Sequence, residues 1–76
     1  MLLAGKEHYE EAITCFFRCI SINPNYDFAY NGLGNVYYHT EKYDEAIEYF
    51  TKCLVINPKN SAPYNGLSNI YSKKGD

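Results

Sequence analysis

Residues 30–37 read Tyr30-Asn31-Gly32-Leu33-Gly34-Asn35-Val36-Tyr37, and residues 64–71 read Tyr64-Asn65-Gly66-Leu67-Ser68-Asn69-Ile70-Tyr71. Taken alone, Asn31-Gly32 and Asn65-Gly66 would be strong signs of a β-hairpin. Their surroundings say otherwise. Tyr30, Leu33, Gly34 and Tyr37 share one face at helical spacing, and Ala29 and Val36 widen it. Both copies therefore predict helices, the first from about Asp27 to Thr40. An apolar arc this broad belongs to a helix that packs against two neighbours. Each internal glycine costs about 1 kcal/mol against alanine. Such a cost, present twice, implies that something passes close to the backbone there.

Outward from this stretch the whole chain is periodic. Shifted by 34, residues 1–42 overlie residues 35–76 with 16 identities, where average composition would give about three. Tyr9, Glu11, Ala12, Ile13, Phe16 and Cys19 recur as Tyr43, Glu45, Ala46, Ile47, Phe50 and Cys53. Ile22-Asn23-Pro24 recurs as Ile56-Asn57-Pro58. Each proline should end a helix, because it cannot continue one and keeps the preceding residue out of the α region. Tyr43, Ala46, Ile47, Phe50, Cys53 and Leu54 fall within a narrow arc, with Asp44, Glu45, Glu48 and Lys52 opposite. Glu48 and Lys52 form an i,i+4 pair worth a few tenths of a kcal/mol. The earlier copy predicts a helix from Tyr9 to about Ile22. Glu41-Lys42 is a short polar turn, so the helices it joins are antiparallel. The last helix starts near Ser61, an N-cap candidate with Pro63 in the first turn. It ends at Lys73-Lys74-Gly75-Asp76.

Composition narrows the function. At 76 residues the chain makes at most one small domain with a marginal core. Seven Lys+Arg against nine Asp+Glu, with Arg18 the one arginine, argue against a nucleic-acid surface. No apolar run is long enough to span a bilayer, and the first residues do not read as a signal peptide. Three cysteines without a CxxC suit a reduced, cytoplasmic or nuclear setting. No cofactor is expected. There is no glycine-rich phosphate loop, no convergent Cys/His spacing and no pair of carboxylates on a face that could line a groove, Glu and Asp crowding the outer faces instead, so the chain is read as non-enzymatic.

Tyr30-x2-Leu33-Gly34-x2-Tyr37, then Ala46-x3-Phe50, then Pro58, resembles the tetratricopeptide repeat. Tyrosine stands where that family most often has tryptophan, which partly accounts for nine tyrosines and no tryptophan. The resemblance implies an all-α fold of antiparallel helix-turn-helix repeats, stacked as a right-handed α-solenoid. Its register divides residues 1–76 into a partial repeat at 1–26, a complete repeat at 27–60 and the first helix of a further repeat at 61–76. Met1 to Ala4 would then be the end of an otherwise missing helix. Function is expected through binding, in a concave groove lined by the first helix of each pair.

On the helical wheel Phe28, Asn31, Gly32, Asn35, Tyr38 and His39 lie opposite the Tyr30/Leu33/Tyr37 face. Ala62, Asn65, Gly66, Asn69, Ser72 and Lys73 occupy the same places one repeat later. By the resemblance these are the groove. One asparagine amide both donates and accepts, so Asn35 and Asn69 can form a ladder along an extended peptide. Similar asparagines occur in repeat arrays that grip peptide backbones, including those attached to protein O-glycosyltransferases. Gly32 and Gly66 would widen the groove. For the asparagines the alternative is a solvated polar face whose ligand sits elsewhere in a longer array; for the two glycines it is neutral drift. The carboxylate clamp of chaperone-tail binders is not expected, because its cation positions hold Asn31, Ala62 and Gly66.

Cys15 and Cys19 are i,i+4 with His8 upstream, but no fourth ligand has suitable spacing, so core packing is the better reading than zinc. Tyr9, Tyr30, Tyr37, Tyr43, Tyr64 and Tyr71 read as core with hydroxyls reaching the surface. Phe17 points to the charged side, as an exposed singleton or a contact with something outside the chain. The expected function is protein–protein interaction, by cradling a peptide or protein segment. The alternatives are a structural spacer, self-association through an exposed Tyr64/Leu67/Tyr71 face, or a targeting segment of a larger enzyme.

Overall fold

The computed structural model describes residues 4–75, with side chains from His8 onward. Four helices follow one another: α1 (Ala4–Ile22), α2 (Asp27–His39), α3 (Tyr43–Ile56) and α4 (Ala62–Lys73). No strand occurs among the described residues. The prolines end helices as expected: Asn23 and Asn57 follow α1 and α3, and their backbone N–H groups donate to Cys19 and Cys53 carbonyls. The expectation that Ala4 belongs to the end of an earlier helix fails. Ala4 opens α1, which runs unbroken to Ile22, because Lys6, Glu7 and Glu10 are good helix formers and no proline intervenes. Met1 to Leu3 lie outside the described residues.

Neighbouring helices pack in sequence, α1 on α2, α2 on α3 and α3 on α4, and α2 also packs on α4. The core runs through this stack. Ala29, Leu33, Val36, Ala46, Phe50, Cys53 and Ile70 are buried, with Tyr37, Tyr38, Tyr43, Ile47 and Leu67 against the Ala46/Phe50/Ile70 cluster. The costly glycines now have their reason. A Cβ on Gly34 would lie 2.5 Å from the Phe50 ring, and one on Gly66 would lie 2.4 Å from it. A Cβ on Gly32 would lie 2.2 Å from the Phe16 ring. Each phenylalanine ring thus rests on helix backbone, and Phe50 is held between α2 and α4.

Three local expectations are corrected. Ser61 precedes α4, but its hydroxyl makes no capping bond; the Asn60 side-chain oxygen accepts from the Ala62 N–H instead, at 3.1 Å. Lys52 does not pair with Glu48 among the described ion pairs; its ammonium sits 5.7 Å from the centre of the Tyr49 ring. Phe17 is 43% exposed, yet it meets Tyr49 edge-on at 6.2 Å, so its contact is inside the chain. Tyr49 also stacks with Tyr37 at 5.5 Å and Tyr30 at 6.3 Å. Burial, with Tyr37 and Glu48 nearby, pushes the Tyr49 hydroxyl above its ordinary pKa.

The turn between α2 and α3 carries a strained residue. Glu41 has φ 66°, and Gly75 at the same place one repeat later has φ 86°. A side chain in this left-handed region costs about 1–2 kcal/mol. Thr40 supports the turn, its hydroxyl donating to the Val36 and Tyr37 carbonyls at 3.1 Å each.

A polar clasp closes the α2–α3 pair. Asn57 and Asn60 each donate a side-chain N–H to Asp27 Oδ2, at 3.0 Å. These two bonds, Asn57 first, hold the Asp27 carboxyl below its ordinary pKa. The sign follows from linkage. A depressed carboxylate contributes stability above its unfolded value of 3.8 and loses it as pH falls through the folded value. The thermal midpoint should therefore fall more between pH 5 and pH 2 in the wild type than in Asp27→Asn. Parallel melts followed by circular dichroism would check this, and equal falls would exclude the clasp as an acid-sensitive element.

Candidate functional site

The helices sort into two layers, α1 and α3 on one side and α2 and α4 on the other. In the second layer α2 rests directly on α4. In the first, α3 is reached from α1 through Phe17 against Tyr49. Because α2 and α4 pack on each other, their outer faces lie side by side.

Several expected groove residues reach solvent on this layer. Asn35 and Asn69 are exposed, as are Ala62, Asn65, Ser72 and Lys73. Phe28 is 63% exposed and its ring meets Tyr26 edge-on at 5.8 Å. An aromatic ring left this open beside asparagines gives the face both apolar and hydrogen-bonding character.

Others depart from expectation. Gly32 and Gly66 do not widen the groove; they turn toward Phe16 and Phe50. The close approach inferred from their cost is real, but the approaching group is a core ring. Asn31 is half-buried, and its Oδ1 is buried without a hydrogen-bond partner. Its copy Asn65 is exposed, so the two asparagines are not equivalent contacts.

At the C-terminal end of the two helices, Tyr38, His39 and Lys73 come together around a hollow of about 270 Å³, with Glu41 and Tyr43 completing its wall. The Tyr38 ring packs edge-on against His39 at 5.2 Å and tilts over Tyr43 at 5.9 Å. The exposed His39 ring also stacks flat on Tyr9 of α1, at 6.1 Å. Glu41 and Tyr43 were missed in the sequence because they lie in the turn and on the next helix. The repeat register gave no signal that α4 would bring Lys73 beside them.

The cysteines are free: Cys15 exposed, Cys19 half-buried and Cys53 buried. Burial, then the Asp27 charge, raises the Cys53 thiol pKa, which disfavours the reactive thiolate. No group of three or more His, Cys, Asp or Glu side chains suited to a metal ion occurs among the described residues. No helix among them is long and apolar enough to cross a membrane.

Comparison with known families agrees with this architecture. A family model described as Tetratricopeptide repeat matches residues 28–60, and one described as TPR repeat matches residues 6–40. Between them they cover residues 6–60. No curated protein matches the chain.

Proposed function

Because the chain belongs to the tetratricopeptide repeat family, whose repeats generally mediate protein–protein interaction, we propose that it is a non-catalytic module holding an extended peptide segment across the outer face of α2 and α4. The observation that carries this reading is the repeated exposure of one residue type. Asn35 and Asn69 occupy the same place in two helices that pack together, and both amides are exposed. An exposed asparagine can donate to a peptide carbonyl and accept from a peptide N–H at once.

The spacing suits a strand. Packed helices lie about 8–10 Å apart, and an extended chain rises about 3.3 Å per residue. Asn35 and Asn69 would therefore meet backbone groups about three residues apart. Backbone contacts of this kind tolerate varied side chains, so sequence preference would come from the ends of the face. Phe28 offers an apolar contact at one end. The hollow walled by Tyr38, His39, Glu41, Tyr43 and Lys73 offers charge of both signs at the other.

The test is selection of peptides from a displayed random library on the 76-residue chain, followed by titration of the enriched peptides. Each lost hydrogen bond costs about 1 kcal/mol. Asn35→Ala with Asn69→Ala removes two to four such bonds, so it should weaken binding by about thirty- to a thousandfold and leave helicity unchanged. Peptides that bind the double variant as tightly as the wild type would exclude the asparagine ladder. A library that yields no binder would count against the whole reading.

A further inference from the structure

Two equivalent places in the repeat are filled differently. Lys74, just after α4, donates to Asp44 Oδ1 on α3 at 3.0 Å. One period earlier the same two places hold Thr40, just after α2, and Glu10 on α1. Thr40 does not repeat the pair. Its hydroxyl turns back onto the Val36 and Tyr37 carbonyls. Glu10 is exposed and makes no ion pair among the described residues.

Space is left where the missing cation would lie. α1 and α3 do not pack on one another. A hollow of about 530 Å³ opens between α1 and the α2–α3 hairpin, lined by Tyr9, Glu10, Ile13, Tyr37, Thr40 and Lys42. None of these residues belongs to the Asn35/Asn69 face. Two of its walls are tyrosines already engaged in stacks, Tyr9 on His39 at 6.1 Å and Tyr37 on Tyr49 at 5.5 Å. Each stack uses one face of its tyrosine ring and leaves the other. Rings held this way are set before a ligand arrives, which lowers the cost of binding. The same aromatic cluster already attracts one cation of the chain, Lys52 over Tyr49 at 5.7 Å.

We propose that this hollow takes an arginine side chain of a partner protein, its guanidinium lying on the Tyr9 and Tyr37 rings and pairing with the Glu10 carboxylate. Arginine fits better than lysine because its planar fork stacks on an aromatic face and meets a carboxylate with two parallel N–H groups. The volume leaves room for the long side chain and the backbone that carries it. Ile13 supplies an apolar surface for the methylene stem. Lys42 stands in the wall without an ion-pair partner among the described residues. Its like charge opposes the incoming guanidinium and limits the affinity.

The probe is acetyl-Gly-Arg-Gly-amide, titrated into the 15N-labelled 76-residue chain and followed by amide chemical shifts. Shifts should saturate at Tyr9 to Ile13 and Tyr37 to Lys42, with half-saturation at about 1–10 mM. The same peptide with glutamine in place of arginine should leave these amides unmoved. Glu10→Gln should raise the half-saturation concentration about tenfold. Lys42→Met should lower it about threefold, by removing the like charge. Thr40→Lys should abolish the shifts, because a lysine there would reach Glu10 as Lys74 reaches Asp44. Where Thr40→Lys lowers helicity, the other two variants decide, because Glu10 and Lys42 are exposed. Absence of saturable shifts at these amides up to about 100 mM peptide would overturn the proposal. So would equal shifts from the glutamine peptide, or an unchanged titration in Glu10→Gln. Weaker binding in Lys42→Met would overturn it too, since that result belongs to an anion site.

Discussion

Phe50→Ala should remove about 3–5 kcal/mol of stability, a large share of what a chain of this size has to lose. Stability of about 0.05–0.15 kcal/mol per residue gives a total of about 4–11 kcal/mol here. The Phe50 side chain is 0% exposed and lies between the backbones of α2 and α4 at Gly34 and Gly66. Rigid helix backbone on two sides leaves little to collapse into the space, so the cavity cost is expected at the high end. Phe16→Ala makes the comparison. Its ring rests on Gly32 and is only partly buried, so a smaller loss is expected. Urea unfolding followed by far-UV circular dichroism would measure both, and equal losses would contradict the two-sided seat of Phe50.

Gly34→Val should cost about 1–3 kcal/mol even though valine is the better helix former. The added Cβ would lie within 2.5–2.8 Å of three ring atoms of Phe50, including the one nearest its backbone. The ring cannot swing away freely, because Gly66 closes its other side. The chain supplies its own control. Ser68 occupies the same place on α4 and is exposed, so Ser68→Val should change stability by no more than about 0.5 kcal/mol. Equal effects at the two positions, in the same urea titrations, would show that helix propensity and not the ring contact decides the outcome.

The helices and their pairing were legible because they depend on apolar spacing, prolines and a 34-residue period, all of which the sequence states twice. Gly32 and Gly66 were legible as anomalies but not as to cause. A wheel places a missing side chain on a face by angle alone; it does not show that a ring from the next helix fills the gap. Asn31 and Asn65 looked interchangeable for a similar reason. Their letters match, but one is half-buried and the other open, because burial depends on neighbours that do not repeat. Tyr49 was missed because its copy is Cys15, so the period carried no signal for the aromatic cluster that joins Phe17, Tyr30 and Tyr37. The left-handed Glu41 was hidden by the opposite accident, since its glycine counterpart stands one period later at Gly75.

The nearest-neighbour packing of the four helices also sets the order in which they form. Every interface joins helices that are consecutive or one helix apart in sequence. Little loop entropy is spent before the first contacts are made, and such topologies fold in microseconds to milliseconds. The α2–α3 hairpin is the natural nucleus. It has the short Thr40–Lys42 turn, the Phe50 ring and the Asp27 clasp. α1 and α4 then add to a surface already in place, each able to detach without dissolving the middle pair. The chain therefore behaves as a row of coupled steps, ordering from its centre outward and loosening from its two ends inward.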